Sequence, residues 1–136
     1  GAKSNTEIIK SYANYDAHIL PSRHDGWGAV INEALMSGLF VLCSDQCGAK
    51  ELIQEQFKGL VFSHKKKDDL VKALSYCINN KESIRAKRGV IQAWSQCIEG
   101  EMMAKYLVNT LRDKTKILPP WKMKTATDEI NTFKAN

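Results

Sequence analysis

The sequence predicts an α/β fold, a parallel sheet flanked by helices, and three observations carry that reading. Helical and strand-like periodicities alternate from Ser4 to Ile78. The strand-like stretches "DAHIL", "LFVLCS" and "GLVFS" are short apolar runs, and "LFVLCS" lacks the polar alternation of a strand with one wet face. Parallel strands need crossover helices between them, and the helical stretches fall in those intervals.

Each element has its own signal. "SNTEIIKSYANY" opens with the capping-box pattern Ser4-x-x-Glu7, followed by Ile8, Ile9, Tyr12 and Ala13 at helical spacing. Pro21 ends the strand Asp16 to Leu20. Val30, Ile31, Ala34 and Leu35 form the next helical stripe, which Gly38 stops. "LFVLCS" gives a second strand, "GAKELIQEQF" a short helix and "GLVFS" a third strand. Leu70, Val71, Leu74, Cys77 and Ile78 mark a helix of about three turns. From Lys81 to about Leu111 the pattern is helical throughout, read as two helices broken near Gly100, the second with Met102, Met103, Tyr106, Leu107 and Leu111 as its apolar face. Past Lys114, the Pro119-Pro120 break and weak periodicity predict an extended strap with a last short helix. No internal repeat is present.

Composition bounds the function. The chain has 136 residues, 43% of them hydrophobic, enough for one domain with a real core. No apolar run approaches the roughly 18–20 residues of a membrane span. Cys43, Cys47, Cys77 and Cys97 form no C-x-x-C pair, which fits free thiols in a reducing, cytoplasmic setting. Cys43 and Cys47 beside His24 lack the spacing of common zinc frameworks, so no metal is expected. The net charge is +5. Between Arg112 and Asn136 six basic residues stand against three acids. Such a tail suits an anionic membrane surface, with the protein peripheral there, or a phosphorylated substrate; a solvated terminal segment is the other reading. Aromatics are 8% with no basic-aromatic interleaving, which argues against nucleic acid. The chain lacks an initiator Met, and three strands fall short of the five or six of a doubly wound sheet. A piece of a longer protein is therefore expected.

The chemistry concentrates in "SRHDGWGAVINEALMSG", which leaves the carboxyl end of the first strand and enters a helix, the usual ligand position in open α/β sheets. Gly26 and Gly28 permit close backbone approach, and the helix start at Gly28–Val30 offers unpaired N–H groups and a positive dipole end to a phosphate. Asp25 and Glu33, eight apart, are carboxylates able to accept hydrogen bonds from a sugar or ribose diol if both face one crevice. Phosphate donors beside diol acceptors describe a nucleotide-sugar site. Arg23 is a candidate phosphate contact or a solvated loop residue. Trp27 is a pocket wall or packing. Asp25 has a helix-capping alternative, His24 is read as a loop residue, Glu51 as a cap or orienting group, and Lys65–Lys67 as a solvated turn.

The run "YANYDAHILPSRHDGWGAVINEALMSGLFVLCSDQCGAKELI…GLVF" resembles the nucleotide-sugar-binding half of retaining GT-B glycosyltransferases of the group 1 (family 4) set. Their pattern is an aspartate-led strand, Pro-Ser, Glu-Gly-Phe-Gly, a second glutamate before Ala, a small residue before Gly, Pro-Val, then Gly-Gly and Glu. The likeness covers roughly Glu7 to Leu111, and "WSQCIEGEMMAKYL" is similar to the helical end of such domains. It implies a Rossmann-like fold, the second half of a GT-B C-terminal domain, with residues 1–112 as a partial donor-binding domain and 113–136 as an extension. By the same resemblance, Glu33 binds the nucleotide ribose and Asp25 contacts donor-sugar hydroxyls. The amides of Gly28, Ala29 and Val30 approach the diphosphate, and Gly26 and Trp27 line the donor pocket.

Departures from the pattern are Asp25 for Glu, one methylene shorter, Cys47 for the first glycine of the Gly-Gly pair, and Phe40 for proline. The Arg/Lys pair that neutralises the diphosphate and the acceptor domain lie upstream in that family. The implied reaction is sugar transfer from a nucleotide diphosphate sugar to an acceptor hydroxyl with retention, in surface polysaccharide or glycolipid synthesis, without a cofactor. The isolated chain is expected to be inactive. A non-catalytic nucleotide-sugar-binding module and a sugar-nucleotide epimerase of the same architecture are the alternatives.

Overall fold

The computed structural model describes residues 4–112 and 117–122. The chain divides into two compact units, Gly1–Gln92 and Ala93–Asn136. The first carries the α/β fold that the alternating periodicity predicts. Its elements are α1 (Asn5–Tyr12), β1 (Ala17–Leu20), α2 (Ala29–Met36), β2 (Phe40–Ser44), a 3-10 turn (Gly48–Leu52), β3 (Gly59–Phe62), α3 (Lys67–Asn79) and α4 (Lys81–Ala86). The three strands are parallel in the order β1-β2-β3. His18 pairs with Val41 and Leu20 with Cys43, while Leu42 pairs with Leu60 and Ser44 with Phe62. Side chains alternate between faces, so His18, Leu20, Val41 and Cys43 share one face, and Phe40, Leu42, Leu60 and Phe62 the other.

Local chemistry sets the helices. Ser4 Oγ accepts from the Glu7 amide at 3.3 Å, and the Glu7 carboxylate accepts from the Ser4 amide at 2.8 Å, the capping box that starts α1. α2 buries Ile31, Ala34 and Leu35 completely, and burying each of the two large side chains is worth about 1.5–3 kcal/mol. It ends at Ser37 and Gly38, the latter at φ 76°. On the opposite face Phe40, Leu42, Phe62, Ala73 and Ile84 form one buried cluster, with Leu70, Tyr76 and Cys77 packed against it. Arg85 holds Asp16 at 3.0 Å and keeps its carboxyl below the usual range. The Arg88 guanidinium donates to the Tyr12 carbonyl at 3.0 Å.

The structure differs from the sequence reading in three places. Of "GAKELIQEQF", read as a short helix, only Gly48–Leu52 is helical, and it is a 3-10 turn. The Gly48 and Ala49 amides already donate to Asp25 and Trp27 carbonyls across to another loop, and the chain tightens through Lys50 N–H to Cys47 O. In α3, Val71, Leu74 and Ile78 are 53%, 42% and 75% exposed. The helix has two apolar stripes at helical spacing, and the sheet takes the one containing Leu70, Ala73 and Cys77, whose small Ala73 lets the helix approach. The stretch after Lys81 is three helices rather than two: α4, α5 (Arg88–Ser95) and α6 (Gly100–Arg112). Lys87 breaks the first pair, and a 3-10 turn (Gln96–Ile98) with an extended Glu99 precedes Gly100.

In the second unit, Met103 and Tyr106 of α6 are partly buried, while Met102, Leu107 and Leu111 are exposed. Tyr106 meets Trp121 edge-on at 6.2 Å. Pro120–Lys122 is a 3-10 turn. The remainder of the expected strap, residues 113–116 and 123–136, lies outside the described residues. No helix among those described is long and apolar enough to cross a membrane.

Candidate functional site

The loop from Pro21 to Gly28 is joined along its length to the loop that follows β2. Ser44, fully buried at the end of β2, donates from Oγ to the Ser22 carbonyl at 2.5 Å and accepts from the Gln46 amide at 3.2 Å. Asp25 and Cys47 form a parallel bridge: the Asp25 amide donates to Gln46 O, and the Gly48 amide to Asp25 O, both at 3.2 Å. The Trp27 carbonyl accepts from the Ala49 amide at 2.6 Å and from the Cys47 thiol at 3.2 Å. A side chain on Gly48 would collide with the Gly26 carbonyl, so the two backbones meet where neither residue has a Cβ.

This seam presents the helix start. Gly28 is the N-cap of α2 at φ 83°, ψ 58°, a left-handed conformation that glycine adopts without strain, and no side chain caps the helix. Asp25 is therefore not the cap. The Gly28 carbonyl accepts from Ile31, and the amides of Gly28, Ala29 and Val30 have no backbone acceptor among the described residues. Three donors at a helix N-terminus suit a phosphate oxygen. Trp27 donates from Nε1 to Asn32 Oδ1 at 3.0 Å, which lays the half-exposed ring against the first turn of α2. Arg23 and His24 are exposed, and Gly26 has open space around its Cα.

The two carboxylates act in different directions. Asp25 is partly buried on the β2 side, where its charge adds to burial in pushing the Cys47 thiol up. Glu33 is partly buried and faces away from Ile31 and Leu35 on α2. Its charge reaches Tyr12 of α1 and His18 of β1. Burial is the larger influence on both, raising the Tyr12 hydroxyl and lowering the His18 imidazole. Asp25 and Glu33 thus act on groups from different elements around the start of α2.

Several residues support the loop in ways the sequence reading did not assign to them. Ser44, Cys47 and Gly48 support the loop, and the signal for them was "SDQCG" at the carboxyl end of β2, adjacent to β1 once the strands are parallel. His64 Nδ1 lies 2.6 Å from Asp45 Oδ1, and its amide donates to the same oxygen at 3.1 Å, tying the loop after β3 to the loop after β2. These bonds hold the Asp45 carboxyl down to about 2. Lys50 Nζ donates to the Asp45 carbonyl at 2.7 Å. Glu51 is exposed and accepts from Gln54 Nε2 at 3.0 Å. Cys43, in the strand as expected, has its thiol pushed up to about 12 by burial, as suits a packed group rather than a nucleophile. Among the described residues no three ligand-type side chains gather at a point where a metal ion would sit. A groove of about 330 Å³ between β3 and α3, lined by Leu60, Phe62, Lys72 and Tyr76, lies apart from the loop.

The family described as glycosyl transferases group 1 matches residues 1–89. A GDP-mannose-dependent alpha-mannosyltransferase of Mycobacterium tuberculosis (strain CDC 1551 / Oshkosh) is 28% identical over 102 residues, which cover 69% of this chain and 26% of the relative. The chain therefore spans about a quarter of that relative's length.

Proposed function

Because the chain belongs to the glycosyl transferases group 1 family, we propose that it is the donor-binding part of a retaining GT-B enzyme, built from residues 1–112 and completed by an upstream acceptor domain. The carrying observation is the helix start of α2, where the amides of Gly28, Ala29 and Val30 stand without backbone acceptors beside a loop fixed by the Asp25–Cys47 bridge. A nucleotide diphosphate would place its phosphates at these amides, with Arg23 as the cationic neighbour. Glu33 would accept from the ribose diol, Asp25 from sugar hydroxyls, and Gly26 and Trp27 would border the sugar. The relative's donor makes GDP-mannose the first compound to try.

In this reading the acceptor hydroxyl attacks from the face the diphosphate leaves, through an oxocarbenium-like transition state. Negative charge grows on the departing diphosphate, and preorganised amides oriented toward it stabilise the transition state more than the ground state. Those groups supply the stabilisation without a metal. Arg/Lys partners and the acceptor site come from upstream, so residues 1–136 alone bind donor and do not transfer it. The products are polysaccharide or glycolipid.

The test is transfer from radiolabelled GDP-mannose by the full-length polypeptide and its Glu33→Ala variant, with circular dichroism to check the fold. A loss of about 100-fold or more, of the order seen when a positioned polar group is removed from an active site, is expected. Near-normal transfer by a folded variant would overturn the ribose role. Product anomeric configuration by NMR decides retention.

A further inference from the structure

β3 is an outer strand of the sheet, and its far side is open. The order is β1-β2-β3, so among the described residues no strand pairs with β3 beyond β2. The Val41 and Asp45 amides donate to the Lys58 and Phe62 carbonyls, both at 2.9 Å. A parallel ladder engages every second residue of a strand, so the backbone groups of Gly59 and Val61 turn outward. Val61 is 42% exposed. An open edge is a template for another strand, and sequences that avoid pairing place a charge or a proline in it. Gly59–Phe62 contains neither.

Beside this edge runs the groove of about 330 Å³ between β3 and α3. Leu60, Phe62, Ala73 and Tyr76 give it an apolar lining, and Asp69 and Lys72 of α3 also border it. Neither of these two charges forms an ion pair among the described residues. They stand about one turn apart on the same side of the helix.

Edge and groove are each their own complement, which points to a second copy of this chain. Two copies of one strand edge pair antiparallel about a two-fold axis, the symmetry of a closed dimer. With Val61 facing Val61 of the second copy, each amide donates to the other carbonyl, and Leu60 comes opposite Phe62 on the groove side. That axis stands perpendicular to the sheet, so both α3 helices lie on one face and run in opposite directions. An axis passing between Asp69 and Lys72 sets each acid opposite the base of the other copy.

We infer that β3 and its groove form the interface of a two-fold homodimer, whose two sheets join across the paired β3 edges. A four-residue strand and one helix wall are small beside the roughly 800 Å² per partner of a standard interface. The dimer is therefore weak and forms as concentration rises. The groove lies apart from the start of α2, so the inference does not depend on the donor reading.

Sedimentation velocity of the full-length polypeptide over a concentration series tests it. The parent should pass from monomer to dimer. Val61→Pro removes an N–H that its own sheet does not use, where an edge strand tolerates proline. It deletes both central bonds of the dimer, which should weaken roughly tenfold. Val61→Lys, which sets like charges opposite each other, is the second variant should circular dichroism show that proline disturbs β3. Lys72→Asp should also weaken the dimer, and adding Asp69→Lys, which exchanges the two charges, should restore it. A polypeptide monomeric throughout overturns the inference. So does a dimer that both Val61 variants leave at parent affinity, or one that the charge exchange fails to restore.

Discussion

A methyl group on Gly28 would stand 2.5 Å from the sulfur of Cys47. The two residues share one volume beneath the start of α2, and the Cys47 thiol also donates to the carbonyl just before Gly28. Gly28→Ala therefore carries two penalties. The left-handed dihedral costs about 1–2 kcal/mol, and the collision adds roughly 1–3 kcal/mol of overpacking. Combining it with Cys47→Ala should recover the second penalty and leave the first. Urea unfolding of the four chains of this cycle measures the coupling, and strict additivity would mean that the two residues do not compete for space.

Gly48→Ala forces the loops after β1 and β2 apart, because its methyl meets the Gly26 carbonyl rather than a flexible side-chain end. The expected destabilisation is about 1–3 kcal/mol. It should be accompanied by faster amide hydrogen exchange at Asp25 and Ala49, whose N–H groups cross the seam. Unaltered exchange at both would show that the seam survives the methyl.

The Asp45–His64 pair gives the fold an acid limb. The Asp45 carboxyl sits at about 2 against an ordinary 3.8, chiefly through its bonds with the His64 ring and amide. A depressed carboxylate contributes stability above its unfolded value and loses it as pH falls through the folded one. The loss thus falls between about pH 4 and 2. The pair is solvent-exposed, so its share is small. His64→Ala should flatten that part of a stability–pH curve, and a curve parallel to the parent's would remove the pair from the account.

The two stripes of α3 separate surface from core. Ile78→Ser, at a position 75% exposed, should change stability by no more than about 0.5 kcal/mol. Ile84→Ala, on α4 in the buried cluster to which Ala73 of the other stripe belongs, should cost about 2–5 kcal/mol. Guanidinium titrations of the two variants side by side decide it.

Periodicity carried most of the architecture into the sequence. Ser4 and Glu7 mark the first helix, Gly38 the end of α2, and the unbroken apolar run Phe40–Ser44 a strand buried throughout. Local pattern could not choose between Ala73 and Leu74 as the core side of α3, since both stripes are apolar; only the shape of the sheet beneath decides. The same limit applies to "GAKEL", where helical propensity is overridden by hydrogen bonds to residues more than twenty positions earlier. In the candidate loop, Gly28 was legible as a turn into α2, because its left-handed conformation is one that glycine takes without strain. Cys47 and Ser44 were not, because their work is to hold residues that only the parallel register brings near.

The Asp25–Cys47 bridge extends sheet-like pairing past the ends of β1 and β2 into what would otherwise be a free connection. The conformational entropy of that segment is lost when the protein folds, at about 1–2 kcal/mol per residue, and need not be lost again when a ligand arrives. On the proposed reading, a nucleotide meeting these amides would find them already set, and binding would be a rigid encounter with little rearrangement of the loop.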